Sequence, residues 1–563
     1  MKESNRTRVD ALFLSYYEDV DRWHNDHLGD APATSATGLR APGVDHGALS
    51  RYVSQGVGLE GGLLDLPRFL SWVAGGTTAD YERYSPFTMT HLSGSYLRAL
   101  TAGHGFDVRH VNFTQRRSLV ELSERWAPRW ILLSTTLLSE TARILDACQR
   151  VRRLWPEAGL ALGGLSILEL QSAMPAEGFQ RLLRACGADA VVLTPQGEEA
   201  LLELLAHDRD EVAGLDLPRT WVKGARGYAV GERAERGVPL DEGWVRWSRL
   251  DPATVYPTVH TRTARSCSFR CAFCTFPQLQ GGLELMEPEV FERELVELER
   301  LGTVRNLVFT DDTFNVPPKR FKELCRVLAR HDFGWFSFFR PQFSDAETAE
   351  LMREAGCKGV YMGVESVDDR MLQRMGKPAG IDVVRRGIEH VQAEGIPIHA
   401  NFVVGFPGDV PENSEKLVRF LDETGIDFFC VSSWFNTPTA PVHAKAEEYG
   451  IEGLYYRWKH ETMDSDTAIE LEKSLQARPR TTVFASEFTS YTFWGQIMLL
   501  ANGFTLDETR QVFRAYNANT GRDASAAELA ARPEVVALRA LLERRPMPDP
   551  VHLAAAPQAA GGA

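Results

Sequence analysis

Eight cysteines are spread over 563 residues, at positions 148, 186, 267, 271, 274, 325, 357 and 430. Five stand singly in apolar stretches, where a thiol in a reducing compartment behaves as a small buried hydrophobe. The other three form Cys267-Ser-Phe-Arg-Cys271-Ala-Phe-Cys274, a CxxxCxxC triplet. Thiolates are soft, charge-donating ligands, so three on one short segment can hold metal. A structural zinc site needs a fourth Cys or His at regular spacing, and none follows nearby. Three ligands on a four-iron cluster leave one iron open, which permits catalysis instead of simple electron storage.

Such a segment needs a scaffold, and the sequence around it alternates in a way that supplies one. Candidate strands at 258–265, 306–311, 335–340, 359–365, 397–405 and 427–434 are separated by helical stretches at 288–301, 318–331, 345–355, 380–394 and 413–425. Six βα units predict a partial (β/α)6 barrel, whose ligands sit at the carboxyl ends of the strands. Ser344 and Glu347 have the spacing of a capping box at the start of the third helix. Upstream, strands at 10–15, 107–112, 130–135, 159–163 and 189–193 alternate with helices at 91–103, 117–125, 139–154, 176–187 and 196–206. This rhythm predicts a Rossmann-like, doubly wound parallel sheet with helices on both faces. The fold class is therefore α/β, with a mainly helical C-terminal region. The expected units are 1–212 with an insertion at about 22–86, a connecting segment 213–256 with a hairpin around Trp221–Val230, the barrel 257–449, helices 450–545 and a disordered tail 546–563.

The cysteine triplet, with aromatic Phe273 before its last member, resembles the radical S-adenosylmethionine (SAM) superfamily. That family implies a [4Fe-4S] cluster on Cys267, Cys271 and Cys274 whose open iron chelates SAM. The barrel motifs match in order. Asp311, Asp312 and Thr313 end the second strand, where the family places acceptors for the methionyl ammonium. Arg340 ends the third and is a candidate for the SAM carboxylate. Gly363, Glu365 and Ser366 end the fourth, where the family puts a carboxylate on the ribose. Gly405, Phe406 and Pro407 end the fifth, where backbone approaches the adenine. Each motif alone is a common turn or helix cap; their order behind the triplet carries the assignment.

The N-terminal sheet, joined to such a barrel, resembles the cobalamin-binding domain of B12-dependent radical SAM methyltransferases. The resemblance assigns Ser134, Thr135, Thr136, Gly163, Gly164, Gln196, Gly197 and Glu198 to cobalamin, glycine being needed where backbone lies flat on a bulky ligand. The DxHxxG histidine that ligates cobalt in many B12 proteins has no match after the first strand, where Tyr16-Tyr17-Glu18-Asp19 stand. His27, His46, His91 and His104 are outside that setting, so cobalamin is expected without a His lower ligand; Arg68 is the candidate facing cobalt. Thr263-Ala264-Arg265-Ser266-Cys267, Asp311 to Pro317, Arg320-Phe321-Lys322 and His460 to Ser465 look like the group of phosphinothricin-type P-methyltransferases.

The resemblance implies an enzyme that methylates an unactivated carbon or phosphorus through methylcobalamin and a 5′-deoxyadenosyl radical. The acceptor is a small molecule or peptide precursor, in natural-product biosynthesis. Rearrangement or ring contraction, non-radical methylation of an indole carbon, and a non-catalytic cofactor sensor remain alternatives. Tyr361, Trp434, Asn436 and His443 are candidate acceptor contacts. An electron donor such as flavodoxin or ferredoxin is the expected protein partner. The 62 Lys and Arg against 76 Asp and Glu give a net charge of −14, a poor match for a phosphate-backbone binder. No apolar run approaches the ~20 residues of a bilayer span, and a cytoplasmic location is expected.

Overall fold

Short apolar runs separated by amphipathic helices bury both their faces as a parallel sheet between helix layers. The computed structural model describes residues 6–15, 54–85, 88–112, 116–136, 138, 141–485 and 493–549, and contains two such sheets. The first comprises β1 (Thr7–Ser15), β2 (Val108–Asn112), β3 (Trp126–Ser134), β4 (Gly159–Gly163), β5 (Ala190–Val192), β6 (Thr220–Gly224) and β7 (Gly227–Val230). Their order is β2-β1-β3-β4-β5-β6-β7. The first five are parallel, and the β6–β7 hairpin adds two antiparallel strands at one edge.

Besides the helix Arg116–Arg125, whose Leu119 and Leu122 join the same core, five helices flank this sheet: α1 (Leu92–Ala102), α2 (Thr141–Leu154), α3 (Leu165–Ala173), α4 (Ala176–Cys186) and α5 (Glu198–Leu205). Side chains alternate along β3, so Ile131 and Leu133 meet α2, α3 and α4 while Trp130 and Leu132 meet α5. Ser15, Ser134 and Gly163 pair in register, which levels three strand ends into one platform.

The second sheet runs β8 (Thr258–Thr261), β9 (Asn306–Phe309), β10 (Gly334–Phe339), β11 (Cys357–Glu365), β12 (Ile398–Val404), β13 (Phe428–Ser433) and β14 (Val483–Phe484), all parallel and in chain order. The six expected strands are present. The two-residue β14 extends them from the region read as helical. Returning helices α6 (Pro288–Leu301), α7 (Pro318–Leu328), α8 (Ala346–Glu354), α9 (Asp369–Arg374), α10 (Ile381–Ala393) and α11 (Asn413–Thr424) pack outside. The outer core includes Leu307, Trp335, Met362, Ile398 and Phe429, with Phe291 and Leu295 of α6. Helix α8 is capped by Asp345, whose carboxylate accepts from Thr348 N at 2.8 Å. The expected Ser344–Glu347 capping box is therefore not formed: a carboxylate suits the cap position, Asp345 occupies it one residue later, and Thr348 stands where a box needs Glu or Gln.

After α12 (Ser465–Leu475), α13 (Phe493–Ala501) sends Phe493 and Ile497 against Val308 and Phe336 on the inner face of the barrel. Then come α14 (Leu506–Asn517) and α15 (Pro533–Arg544). The described part of the expected insertion packs here: Tyr516 Oη donates to Gln55 O at 2.8 Å and Gly58 N to Arg522 O at 3.0 Å. Tyr16 to Asp19, His27, His46 and tail residues 550–563 lie outside the described residues.

The two sheets are stitched at one edge. Thr90 bridges Val259 in parallel, with Thr90 N donating to Thr258 O at 2.9 Å and His260 N to Thr90 O at 2.8 Å. Buried Glu294 of α6 secures the same strand, accepting from Trp247 Nε1 at 2.9 Å and Thr261 Oγ1 at 3.2 Å. Burial pushes its carboxyl up to about 7, from an ordinary value of 4.5. A raised folded value means that this contribution to stability is complete below about 4.5 and lost as pH climbs through 7. Glu294→Gln is therefore expected to lose less stability than the parent between pH 5 and 8, read as urea midpoints across that range. A parent-to-variant difference that does not change with pH would overturn this.

Candidate functional site

The cysteine loop leaves the end of β8, and its approach is fixed before the first cysteine. Thr263 donates its N–H to Asp311 Oδ1 at 2.7 Å and its hydroxyl to Oδ2 at 2.6 Å. Arg320 Nη2 donates to Thr263 O at 2.7 Å and to Met286 O at 2.6 Å. Ser266 then turns the chain with φ +66°, a left-handed conformation, and its hydroxyl donates to Gly281 O at 2.7 Å. Inside the loop, Ala272 N donates to Met375 O at 2.9 Å and Val442 N to Ala272 O at 2.8 Å. Backbone from three other parts of the barrel thus grips the triplet.

The three thiols meet the strand ends. Cys267 Sγ lies 3.4 Å from Thr313 Oγ1. Arg340 Nη2 donates to Cys271 Sγ at 3.5 Å, and its guanidinium carbon lies 3.7 Å from the Phe269 ring centre. Burial, with the charges of Cys271, Asp312 and Cys267 added, pushes the Cys274 thiol up to about 11. Among the described residues, no three Cys, His, Asp or Glu side chains converge on a single metal ion. Ligands on different corners of a cluster stand farther apart than ligands of one ion, so a cluster remains compatible with this spacing.

The predicted SAM residues divide into scaffold and mouth. Asp311 is 2% exposed and fully engaged with Thr263. Asp312 opens into the mouth, where crowding by the surrounding protein and the charge of Asp311 push it up to about 7. Arg340 is clamped through its backbone, which donates to Asn315 Oδ1 at 2.9 Å and accepts from Asn315 Nδ2 at 2.8 Å. Its Nη1 is buried without a hydrogen-bond partner. Glu365, at φ +69°, accepts from Lys377 Nζ at 2.9 Å and Asn401 Nδ2 at 3.1 Å. Lys377 also donates to Gly363 O at 2.9 Å, and Ser366 Oγ accepts from Asp368 N at 3.2 Å. Gly405 (φ +80°) donates its N–H to Asp409 Oδ2 at 2.9 Å; a Cβ there would stand 2.6 Å from Trp458. Phe406 and Pro407 are buried, and the Phe406 ring meets Phe273 edge-on at 6.4 Å.

Between the N-terminal platform and the barrel mouth lies a cavity of about 280 Å³. Ser134, Thr136, Gly163, Gly164, Gly197 and Glu198 line it from one side, Arg262 and Arg265 from the other. Thr135 and Gln196 do not line it. Thr135 is buried, its N–H donating to Gly163 O at 2.7 Å, and Gln196 Oε1 lies 2.3 Å from where a Cβ on Gly237 would stand. Gly164 has φ +113°. A Cβ on Gly163 would meet nothing closer than 3.9 Å and would enter the cavity. Arg68 pairs with Asp65 at 2.5 Å and does not line the cavity.

The four acceptor candidates are not brought together. Tyr361 faces the barrel interior, 4.9 Å from His399. Trp434, 2% exposed, packs on Phe406 and Trp458, and Asn436 Nδ2 donates to Gly453 O at 2.9 Å. His443 Nε2 lies 3.0 Å from Thr437 O. The sequence reading omitted a buried imidazole series at the junction. His110 lies 2.6 Å from Ser15 Oγ, His91 meets His260 at 4.8 Å, and His260 stacks on Trp494 at 5.1 Å. Burial holds His110 down to about 3 and His260 to about 4. The available signal was parity: His260 and Arg262 alternate with outward Val259 on a single segment.

Residues 261–421 match the model of the Radical SAM superfamily. That stretch forms most of the parallel βα barrel, which follows a Rossmann-like sheet and is similar to the barrel of that superfamily. An uncharacterized methyltransferase of Pyrococcus horikoshii is 31% identical over 214 residues, covering 36% of this chain and 45% of the relative. The ribosomal protein uS12 methylthiotransferase RimO of Heliobacterium modesticaldum is 28% identical over 223 residues, covering 36% and 48%. The chain thus spans about half the length of the curated relatives it matches. Among solved structures, the radical SAM methyltransferase TsrM from Kitasatospora setae, with cobalamin and a [4Fe-4S] cluster bound, superposes with a TM-score of 0.58 at 15% identity, covering 93% of this chain and 100% of that one. TsrM with tryptophan and a SAM analogue gives 0.51 at 19% identity, covering 63% and 72%. At these identities the likeness establishes a shared fold.

Asp311 anchors the loop, so Asp311→Ala strands a buried N–H and a hydroxyl of Thr263. A loss of about 1–3 kcal/mol is expected, measured by chemical denaturation of the cofactor-free chain. Unchanged stability would show that the loop is held without it.

Proposed function

We propose that this protein is a cobalamin-dependent radical SAM methyltransferase acting on an unactivated carbon or phosphorus of a small molecule or peptide precursor. The observation that carries the reading is the convergence of the gripped cysteine loop and the glycine-floored cavity on one junction between two sheets. The donor set suits the groups inferred. Burial and the charges of its neighbours raise the proton affinity of Cys274, and an iron cluster, which takes cysteines as thiolates, would relieve that. The unpartnered Arg340 Nη1 and the carboxyl of Asp312 offer one cation and one anion to a zwitterionic methionyl head. The open space beside Gly163 takes a flat, bulky ligand, which fits cobalamin.

When bound, the cluster and SAM supply one-electron chemistry and cobalamin a transferable methyl group. The chain's own residues bind, orient and exclude water. Cys267, Cys271 and Cys274 hold the cluster. Asn315 fixes the backbone of Arg340 and so aims its guanidinium. The ion pair of Glu365 with Lys377, each side chain 9% exposed, sets the β11 end without admitting solvent. Buried Phe406 and Trp434 form an apolar cluster against which Phe273 of the cysteine loop packs, which excludes water from that side of the loop. The buried imidazoles stay neutral, so they add no charge to a junction that already holds Glu198, Arg262 and Arg265.

Anaerobically reconstituted protein with SAM, cobalamin and dithionite is expected to form 5′-deoxyadenosine, and any of the three Cys→Ala variants none. Wild-type protein that transfers methyl without this product points to a non-radical reaction, and an unmethylated, rearranged product to an isomerase. Gly163→Leu, filling the cavity, is expected to abolish retention of the corrin absorbance while the cluster spectrum persists. Full corrin retention would remove cobalamin from this cavity.

A further inference from the structure

Directly behind the cysteine loop is a second recess, of about 510 Å³, lined by Ala272, Arg370, Gln373, Arg374, Lys445 and Tyr449 among others. Ala272 lies between Cys271 and Cys274 and ties to both walls, through Met375 next to α9 and through Val442. All charged side chains lining the recess are cationic, in a chain whose net charge is −14. Arg374 and Lys445 flank the Tyr449 ring at 5.1 and 5.6 Å, which spreads the two cations. Arg370 and Arg374 are exposed, as is Arg270 on the loop itself. The nearby acids are weak competitors. Glu448 stands 3.8 Å from Lys445 between two exposed side chains, and Asp369 accepts from Ile381 N at 2.8 Å.

We propose that this recess is the docking surface of an acidic one-electron carrier protein that reduces the cluster. The inference rests on the cluster assignment above and adds where the electron enters. Charge complementarity joins position here: a basic recess on an acidic protein steers an acidic partner, and Ala272 of the cysteine loop lines it. One electron leaves the carrier and one arrives at the cluster; no bond is made or broken in that step.

The test uses reconstituted holoenzyme, an acidic flavodoxin as probe, and the double variant Arg370→Glu/Lys445→Glu. Flavodoxin affinity, titrated directly at low salt, is expected to fall about tenfold or more, and wild-type binding to weaken steeply as salt is added. 5′-Deoxyadenosine formation driven by flavodoxin is expected to fall in step, while the dithionite-driven reaction stays at the wild-type rate. A variant that binds flavodoxin like the wild type overturns the proposal, as does one that also loses the dithionite-driven reaction. Salt-independent uptake of inorganic phosphate into the recess, without flavodoxin binding, overturns it too. Wild-type protein inert with dithionite counts against the proposed reaction instead, and the binding titration still decides the surface.

Discussion

Thiols crowded on one short loop repel one another once charged, and burial makes such a charge harder to form. The Cys274 thiol, pushed up to about 11, displays both effects. A loop under that stress keeps its shape only if other parts of the chain hold it. Here the grips come from Asp311 and Arg320 before the triplet and from Met375 and Val442 within it. The anchors follow different strands, so the loop is set only when the parallel sheet is complete. The barrel is thus less a container than a clamp.

The same logic joins the two sheets. Levelled ends at Ser15, Ser134 and Gly163 make a platform, and the Thr90–Val259 bridge aligns it with the barrel edge. Some polar groups trapped at that junction are paired or neutral: Tyr96 Oη donates to Glu198 Oε1 at 3.0 Å, and burial lowers the imidazoles. Uncompensated ions there would cost several kcal/mol each, roughly.

What was legible in the sequence was local. The CxxxCxxC spacing, the alternation of strands and helices, and the polar strand ends are all written within windows of a few residues, and the barrel's six strands follow from them. What was not legible depends on contacts between distant segments. Residues 54–85 read as an insertion into the first sheet, yet Tyr516 and Arg522 bind them to the C-terminal helices. The two-residue β14 is too short to leave a periodic signal. The imidazole series draws His91, His110 and His260 from three separate segments. The cap of α8 failed for a smaller reason: Ser344 and Asp345 are both good cap residues, and only backbone geometry chooses between them.

Neighbouring carboxylates show how one motif divides its labour. Asp311 and Asp312 read alike in the sequence, as a pair at a strand end. In the fold Asp311 is spent on Thr263, while Asp312 turns to the mouth and is pushed up to about 7, partly by Asp311 itself. Arg340 is divided in the same way within one side chain: Nη2 reaches Cys271, and Nη1 has no partner. Among the described residues, once the structural bonds are subtracted, the Asp312 carboxyl and the unpartnered Arg340 Nη1 remain beside the thiols. That remainder is complementary to a ligand carrying both an amine and a carboxylate, so the groups that build the site and the groups left to recognise a ligand are separable atom by atom.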